Sequence, residues 1–360
     1  MNRAPFGNHP GKLEGYLSFW RRECVSRPLV GFSLSGWFPL QEFRPCRNWA
    51  PGTSLQPAMI RPSEFIEDHL RLLQEGDLCD DDLLRGACPG QAAIPWLPAL
   101  LGCTLRVLTD NVLPEERQLS WDVLTDVRWD SEGEWWQKCT EFFEELIRAS
   151  DHRFPVSHCP ELGPSDLHAL LRGHGQSILD LTDEPERASE LLKQLGEIFA
   201  SFMEQIWSRL PLYYCGYFDA QYCLWSPGPI CRLQEDATAL YSPRLYRRCL
   251  QAVDQAIAER FPFCFMHLHS TSMHLLDAIL EIEPLRCLQV NRDVGGPPLE
   301  QMMSHYRRVQ EAGRSLLIRG SFTADELGLL LDRLEPRGLM LYLMVDNLAH
   351  LEELRKVLGR

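Results

Sequence analysis

Positive charge is scarce in this sequence, and the shortage limits the partners that the protein can have. Its 360 residues carry 36 Lys and Arg against 50 Asp and Glu, which gives a formal net charge of −14. A protein that binds nucleic acid or an anionic membrane needs a basic surface for that purpose. We therefore expect no nucleic acid and no membrane among its partners.

Long apolar runs and targeting signals are also lacking. The longest apolar stretch, near residues 92–103, is interrupted by Pro95 and Pro98, and it is shorter than the roughly 20 residues of a membrane-spanning helix. Residues 1–24 contain no apolar segment typical of a secretory signal. The thirteen cysteines form no CxxC pair, and an odd number in a long chain argues against a disulfide framework. We expect mostly buried thiols and a cytoplasmic protein.

Familiar nucleotide and hydrolase motifs are absent as well. The sequence has no P-loop and no nucleophile elbow, and no GxGxxG motif follows the first predicted strand. An open dinucleotide-binding sheet is therefore a poor description of the chain. What the sequence does have is enough apolar material for a large core, since 45% of its residues are hydrophobic.

The C-terminal part alternates between strand and helix patterns. Apolar runs predict strands at 261–267, 285–291, 315–319 and 339–345, and amphipathic stretches predict helices at 271–281, 298–312, 323–334 and 348–358. Thr323 and Glu326 form a capping box at the start of the third of these helices. Successive strand–helix units imply parallel strands joined by helical crossovers.

The first half of the chain is compatible with the same architecture. Strands are predicted at 28–34, 154–158 and 212–215, and helices at 62–73, 132–148, 165–172, 185–209 and 243–261. These seven strand candidates come close to the eight of a barrel, so they favour the α/β class and a closed (β/α)8 TIM barrel. We predict an N-terminal extension over 1–26 and a single barrel domain over 27–360, with an insertion at about 37–127 that covers the barrel mouth.

Two histidines at the end of one predicted strand are the sharpest chemical signal. His267 and His269 are two residues apart, so they point to the same face of a strand. The C-terminal strand ends are where barrel enzymes carry their active sites. Two imidazoles, a third ligand and an open position describe a catalytic zinc site, which Asp346 or Asp293 could complete. The alternative is a pair of histidines that hydrogen-bond to substrate or backbone.

Other predicted strand ends carry polar and aromatic side chains. We predict catalytic roles for Asp219, Tyr222, Asp293 and Arg319, and Arg319 would bind a substrate carboxylate through two parallel hydrogen bonds. We predict substrate-binding roles for Trp37, His158, Asn291 and Asp236. The structural alternatives are a helix cap for Asp236, an ion pair for Arg319, and core packing for the aromatic side chains.

The order of several segments resembles the uroporphyrinogen decarboxylase superfamily, which also contains the corrinoid-dependent and cobalamin-independent methyltransferases. The matching segments are Arg27–Pro28, IPWLPALLGC at 94–103, DLTDEPE at 180–186, EDATALYSP at 235–243, HLHS at 267–270, LQVNRD at 288–293 and LIRG at 317–320. Together they span most of the chain from residue 27 onward. The resemblance implies a (β/α)8 barrel.

The two branches of this superfamily imply different chemistry. In the methyltransferase branch, zinc bound at the position of His267 lowers the pKa of a thiol, and the thiolate attacks a methyl donor. His269 stands where that branch has cysteine, and Asn291 stands where the methionine-synthase type has glutamate. The decarboxylase branch uses no cofactor and binds its substrate with an aspartate and arginines. Residues 32–37 replace its arginine-rich loop here.

We therefore expect an enzyme that transfers a methyl group from a corrinoid or a small methyl donor, assisted by a metal such as zinc. The alternatives are a cofactor-free decarboxylase (a lyase) that acts on a porphyrinogen or another carboxylated ring, and a non-catalytic ligand-binding barrel. The expected partners are a small-molecule substrate, a corrinoid protein, and a second copy of the chain in a homodimer.

Overall fold

The computed structural model describes residues 4–34, 39–90 and 94–359. The strands in this part of the chain are β1 (Leu29–Ser33), β2 (Ser54–Leu55), β3 (Leu105–Val107), β4 (Val112–Pro114), β5 (Tyr217–Asp219), β6 (Leu224–Ser226), β7 (Ile230–Gln234), β8 (Phe263–Leu268), β9 (Cys287–Asn291), β10 (Ser315–Gly320) and β11 (Leu339–Met344).

The α-helices in the same ranges are α1 (Leu13–Arg21), α2 (Pro62–Asp77), α3 (Trp96–Leu100), α4 (Trp121–Leu124), α5 (Glu134–Ser150), α6 (Pro164–Arg172), α7 (His174–Asp183), α8 (Pro185–Trp207), α9 (Pro243–Cys249), α10 (Gln251–Arg260), α11 (Leu276–Leu280), α12 (Leu299–Glu311), α13 (Ala324–Arg333) and α14 (Leu348–Val357). None of these described helices combines the length and the apolar character needed to cross a bilayer.

Six of the strands form one parallel sheet. Their order is β1-β11-β10-β9-β8-β7, and every neighbouring pair is parallel. From β8 to β11 each strand is followed by a helix, so the predicted strand–helix units of the C-terminal part are confirmed. Because the strands are parallel, their C-terminal ends lie at one edge of the sheet.

Alternate residues of each strand contact two different interiors. In β10, Leu316 and Ile318 belong to the buried cluster that includes the helices. Leu317 belongs to a second buried cluster, together with Phe265 of β8 and Cys287 of β9. This alternation is the two-residue period of a strand with both faces covered.

The second face becomes polar toward the C-terminal edge. His267, Gln289 and Arg319 each lie two residues beyond a member of the second cluster, so their side chains continue the same face. The register pairs His267 with Gln289 and Arg319 with Asn291. All of these side chains are buried, and the fold therefore gathers polar groups inside the molecule at one edge.

A closed eight-stranded barrel is not shown by the strand pairing. Beyond β1, isolated parallel bridges join Ala87 to Val156 and His158 to Asp219, but no continuous ladder links these bridges to β7 in the described ranges. The predicted strands at 154–158 and 212–215 are thus reduced to isolated bridges. Tyr214 and Cys215 have φ angles of 49° and 58°, and this left-handed backbone cannot continue a strand.

Three local predictions differ from the structure for identifiable reasons. Strand β7 was not predicted, because Arg232 and Gln234 interrupt its apolar pattern. The helix predicted at 243–261 is two helices, α9 and α10, separated at Leu250, whose φ of −121° is not helical. The helix predicted from residue 271 begins as a 3-10 helix over Ser270–Leu275 before α11.

The region at 37–127 contains more regular structure than its sequence indicates. Helix α2 is present as predicted, and it extends to Asp77. Strands β2, β3 and β4 form a small antiparallel sheet. These strands are two or three residues long, too short for a two-residue period to stand out in the sequence.

Candidate functional site

The two predicted histidines lie side by side at the C-terminal edge of the parallel sheet. His267 is the penultimate residue of β8, and His269 follows the strand as the residue before the Ser270–Leu275 helix. Their Nε2 atoms are 3.2 Å apart. His267 is 5% exposed, whereas the His269 side chain is 36% exposed, so the pair runs from the interior to the surface.

His269 is held by a carboxylate on the neighbouring strand end. Its Nδ1 lies 2.6 Å from Oδ1 of Asp293. The other carboxylate oxygen accepts hydrogen bonds from the backbone N–H and the hydroxyl of Ser270, at 2.8 and 2.7 Å. Because a carboxylate can only accept, Nδ1 of His269 carries the hydrogen and Nε2 presents a lone pair whenever the ring is neutral. This is the arrangement that orients metal-binding histidines in proteins.

His267 is held by groups deeper in the interior. Its Nδ1 is close to Oε1 of Gln289 and lies 2.8 Å from the hydroxyl of Tyr222. The Gln289 amide is oriented by its own Nε2, which donates to Oδ1 of Asn291 at 2.9 Å. The amide oxygen therefore accepts from Nδ1, and Nε2 of His267 also presents a lone pair.

The spacing of the two imidazoles fits a shared cation. Two lone pairs that face each other at 3.2 Å repel unless a proton or a metal ion lies between them. Nitrogen ligands sit about 2.0–2.1 Å from zinc, so two of them in tetrahedral geometry are about 3.3 Å apart. Asp236 completes a cluster whose ligand atoms all lie within 4.8 Å of one another. Asp236, His267 and His269 could together hold a metal ion, and we call this group of three residues the metal cluster.

The electrostatics of the metal cluster separate its two histidines. Burial, together with the positive charge of Arg232, lowers the pKa of His267 well below its usual value, so that ring is neutral. The hydrogen bond that His269 donates to Asp293 raises the pKa of His269. Burial raises the pKa of Asp293, but the hydrogen bonds from His269 and Ser270 outweigh it and lower that pKa to about 2. Because His267 is neutral and the Asp293 carboxylate behind His269 is ionised, the position between the two histidines favours a cation.

The remaining interior residues of the prediction surround this cluster. Asn291 and Arg319 are 6% and 7% exposed, and the Arg319 guanidinium lies 5.8 Å from the ring centres of both Tyr222 and Tyr342. Burial raises the pKa of Tyr222 to about 12, so its hydroxyl stays protonated. The structure therefore brings Tyr222, Asn291 and Arg319 to the metal cluster.

Asp219 and His158 form a separate buried pair. The His158 Nε2 atom lies 3.4 Å from Oδ2 of Asp219, and Oδ1 of Asp219 accepts the backbone N–H of Tyr222 at 2.8 Å. Burial lowers the pKa of His158. The contacts of these two residues place them behind Tyr222, where they position its backbone.

The third ligand is where the structure departs most from the sequence prediction. The Asp346 side chain is 87% exposed, and it pairs with His350 at 3.9 Å. Asp236, which the sequence analysis assigned to substrate binding, stands in the metal cluster instead, with Oδ1 3.8 Å from Nε2 of His269. Asp293 supports His269 from behind. Trp37 lies outside the described residues.

Sequence reasoning missed three polar residues that hold this site. Gln289 orients His267, and Gln234 donates from Nε2 to Oδ2 of Asp236 at 2.6 Å. Arg232 donates in turn to Oε1 of Gln234, also at 2.6 Å. Gln289 lies two residues before Asn291 in a predicted strand, so the two-residue period could have identified it. Arg232 and Gln234 lie on β7, which was not predicted.

The chain has no match among family models or curated sequences, but it does have matches among solved structures. No protein-family model matches the chain, and no curated protein matches it. Five chains of solved structures do match. One of them is a methyltransferase from Methanosarcina mazei, which is 13% identical, with a TM-score of 0.63 over 95% of this chain and 96% of that one. At this identity the likeness shows the fold alone.

Proposed function

We propose that this protein is an enzyme that transfers a methyl group with the help of a divalent metal ion bound by Asp236, His267 and His269. The observation that carries the proposal is the facing pair of Nε2 atoms at 3.2 Å. The likeness to a methyltransferase over nearly the whole chain supports methyl transfer rather than another reaction of a metal site. We also propose that the sheet closes into a (β/α)8 barrel through the bridged segments.

The chain's own residues prepare the site for an acceptor molecule. Gln289 and Asp293 fix both histidines in the tautomer whose Nε2 can bind metal. The ion, when bound, supplies Lewis acidity that lowers the pKa of an acceptor such as a thiol. The acceptor releases its proton to solvent, and its lone pair forms the bond to the methyl carbon. The demethylated remainder of the donor, a methylcorrinoid or a small methylated compound, leaves with the electrons of the broken bond.

The donor set itself favours zinc. Two imidazoles and one carboxylate match a class of catalytic zinc sites with three protein ligands and an open position. Asp236 and His269 are both partly exposed, with side-chain exposures of 40% and 36%, so the cluster is accessible to an acceptor from solvent. Two histidines with one carboxylate also bind ferrous iron in some enzymes, so the metal content should be measured for iron as well as for zinc.

The metal content of protein purified without chelator tests the proposal. We expect about one equivalent of zinc per chain, lost in His267→Ala and reduced in Asp236→Asn. Asp346→Asn is the matched control, because that carboxylate is exposed and outside the metal cluster; it should retain the ion. The zinc-loaded protein should then move the methyl group of methylcobalamin to a small thiol.

Two results would contradict the proposal. Less than about a tenth of an equivalent of any divalent metal in folded protein would remove it, since catalytic zinc sites normally retain their ion. If Asp346→Asn and Asp236→Asn lowered the zinc content equally, the metal would be bound somewhere other than the metal cluster. Metal-free protein that consumes a carboxylated tetrapyrrole would favour the decarboxylase alternative.

A further inference from the structure

A buried arginine beside the metal cluster forms no ion pair with any carboxylate of the described residues. Arg232 lies in the middle of β7 and is 3% exposed. Its Nη1 and Nη2 donate to the amide oxygens of Gln221 and Gln234, each at 2.6 Å. Its Nε is buried and makes no hydrogen bond within the part of the chain that the structure describes. No carboxylate oxygen of those residues approaches the guanidinium to within 4 Å.

Such an arrangement is costly for the folded protein. A guanidinium cannot lose its proton at any relevant pH, so burial cannot neutralise Arg232 as it neutralises His267. Buried charges are therefore normally paired with an opposite charge. Two neutral amide oxygens are weaker partners than one carboxylate. A protein retains such a destabilising buried charge most readily where the charge binds a ligand.

The position of Arg232 identifies which ligand that is. The hydrogen bonds run from Arg232 to Gln234 and from Gln234 to Asp236 of the metal cluster. The pairing of β7 with β8 places Gln234 beside His267 and Arg232 beside Phe265, so Arg232 lies one step back from the metal cluster on the same face. A group bound to Arg232 is thus part of a molecule that also reaches the metal cluster.

We infer that Arg232 binds a carboxylate group of the small molecule that reacts at the metal cluster. Gln234 is partly exposed, and its amide oxygen, which accepts from Nη2 of Arg232, occupies one of the two places that the carboxylate oxygens take. The free Nε–H and an Nη–H on the same edge form the planar fork that matches a carboxylate. The methyl acceptor is then a short nucleophile with a carboxylate a few bonds away.

This inference rests on the proposed function only for the identity of the reacting molecule, since the unpaired charge exists with or without metal. The test compares two probes of nearly equal shape, 3-mercaptopropionate and its neutral amide, 3-mercaptopropanamide. Each is titrated by calorimetry into the zinc-loaded full chain and into the same chain stripped by chelator. We expect the carboxylate to bind at least about tenfold more tightly than the amide in both forms.

The preference should depend on Arg232 alone. Arg232→Met and Arg232→Gln should bind the two probes equally, and circular dichroism checks that both variants are folded. Arg248→Met removes an exposed arginine that pairs with Glu186, and it should keep the preference. Arg232→Lys retains the charge without the fork, so it should keep only part of it.

The outcomes separate this inference from the metal proposal. Equal affinities in the wild type, failure of both probes to bind, or a preference that survives in Arg232→Met would overturn the carboxylate site. A chain that binds no zinc but keeps an Arg232-dependent preference would overturn the metal proposal and leave the carboxylate site in place.

Discussion

Two buried arginines of this protein have nearly the same exposure and opposite surroundings. Arg85 is 5% exposed and Arg232 is 3% exposed. Arg85 forms an ion pair with Asp81, and it donates to the backbone carbonyls of Phe32 and Gly76 at 3.1 and 3.2 Å. Asp81 in turn accepts the backbone N–H of Phe32 at 2.7 Å. Arg232 instead donates to neutral acceptors, the amide oxygens of Gln221 and Gln234.

The difference separates structural polarity from functional polarity. Around Arg85 both charges are paired and hydrogen-bonded to β1, so the network ties the segment after α2 to the edge of the sheet. Around Arg232, the described residues supply neutral amide oxygens and no carboxylate within ion-pair distance. A complete network contributes specificity to the fold, whereas an incomplete one at a strand edge keeps capacity for a ligand.

The largest expected effect is on stability, and it should differ between the two arginines. Arg85→Met leaves Asp81 as an unpaired buried carboxylate, which should lower the free energy of unfolding by about 3–5 kcal/mol. Arg232→Met removes a charge that forms no ion pair with the described residues, so the free energy of unfolding should stay within about 1 kcal/mol of wild type or rise. Urea denaturation of both metal-free variants measures the difference.

The slope of each denaturation curve serves as the control for this comparison. An unchanged slope means that the folded states expose similar areas on unfolding and that the midpoints report stability. If Arg232→Met were as destabilising as Arg85→Met, the Arg232 charge would have a structural partner, and the contrast between the two regions would disappear.

A smaller effect is expected behind the metal cluster, at Asp293. Asp293→Asn replaces the carboxylate that holds Nδ1–H of His269 with a neutral amide that can turn a donor toward the ring. Loss of such an outer partner typically weakens metal affinity tenfold to a hundredfold, or about 1.4–2.7 kcal/mol. Competition with a chromophoric chelator gives the affinity directly.

Asp277→Asn provides the matched control, because Asp277 is 71% exposed and pairs with Arg308. Its zinc affinity should equal that of the wild type. Unchanged affinity in Asp293→Asn would mean that His269 does not ligate through Nε2, and the facing pair of imidazoles would then have another cause.

The sequence predicted those features of the fold and of the site that follow from local sequence patterns. His267 and His269 share a face because a strand has a period of two, and their Nε2 atoms do meet. The capping box at Thr323 is present, with both of its hydrogen bonds. Each of these features depends on residues within a few positions of one another, so no knowledge of tertiary structure was needed.

The third ligand could not be predicted in the same way. Asp236, Asp293 and Asp346 each stand two residues beyond a strand of the parallel sheet, and the pattern alone cannot rank them. Asp236 enters the metal cluster, Asp293 lies behind it, and Asp346 is exposed just before α14. The path of each loop after its strand decides the outcome, and loop paths depend on tertiary packing.

The smallest expected effect comes from giving Arg232 an ion-pair partner like the one that Arg85 has in Asp81. Gln221→Glu places a carboxylate where the amide oxygen already lies 2.6 Å from Nη1 of Arg232, so the variant resembles the Arg85–Asp81 pair. A charge-assisted hydrogen bond exceeds a neutral one by about 1 kcal/mol, so the free energy of unfolding should rise by about that amount. The internal carboxylate should also neutralise the guanidinium charge from its Nη1 side and abolish the preference for 3-mercaptopropionate. A variant that gained stability yet kept that preference would show that the probe binds away from Arg232. The combination of greater stability with lost recognition is therefore the specific signature of a charge left unpaired for a ligand.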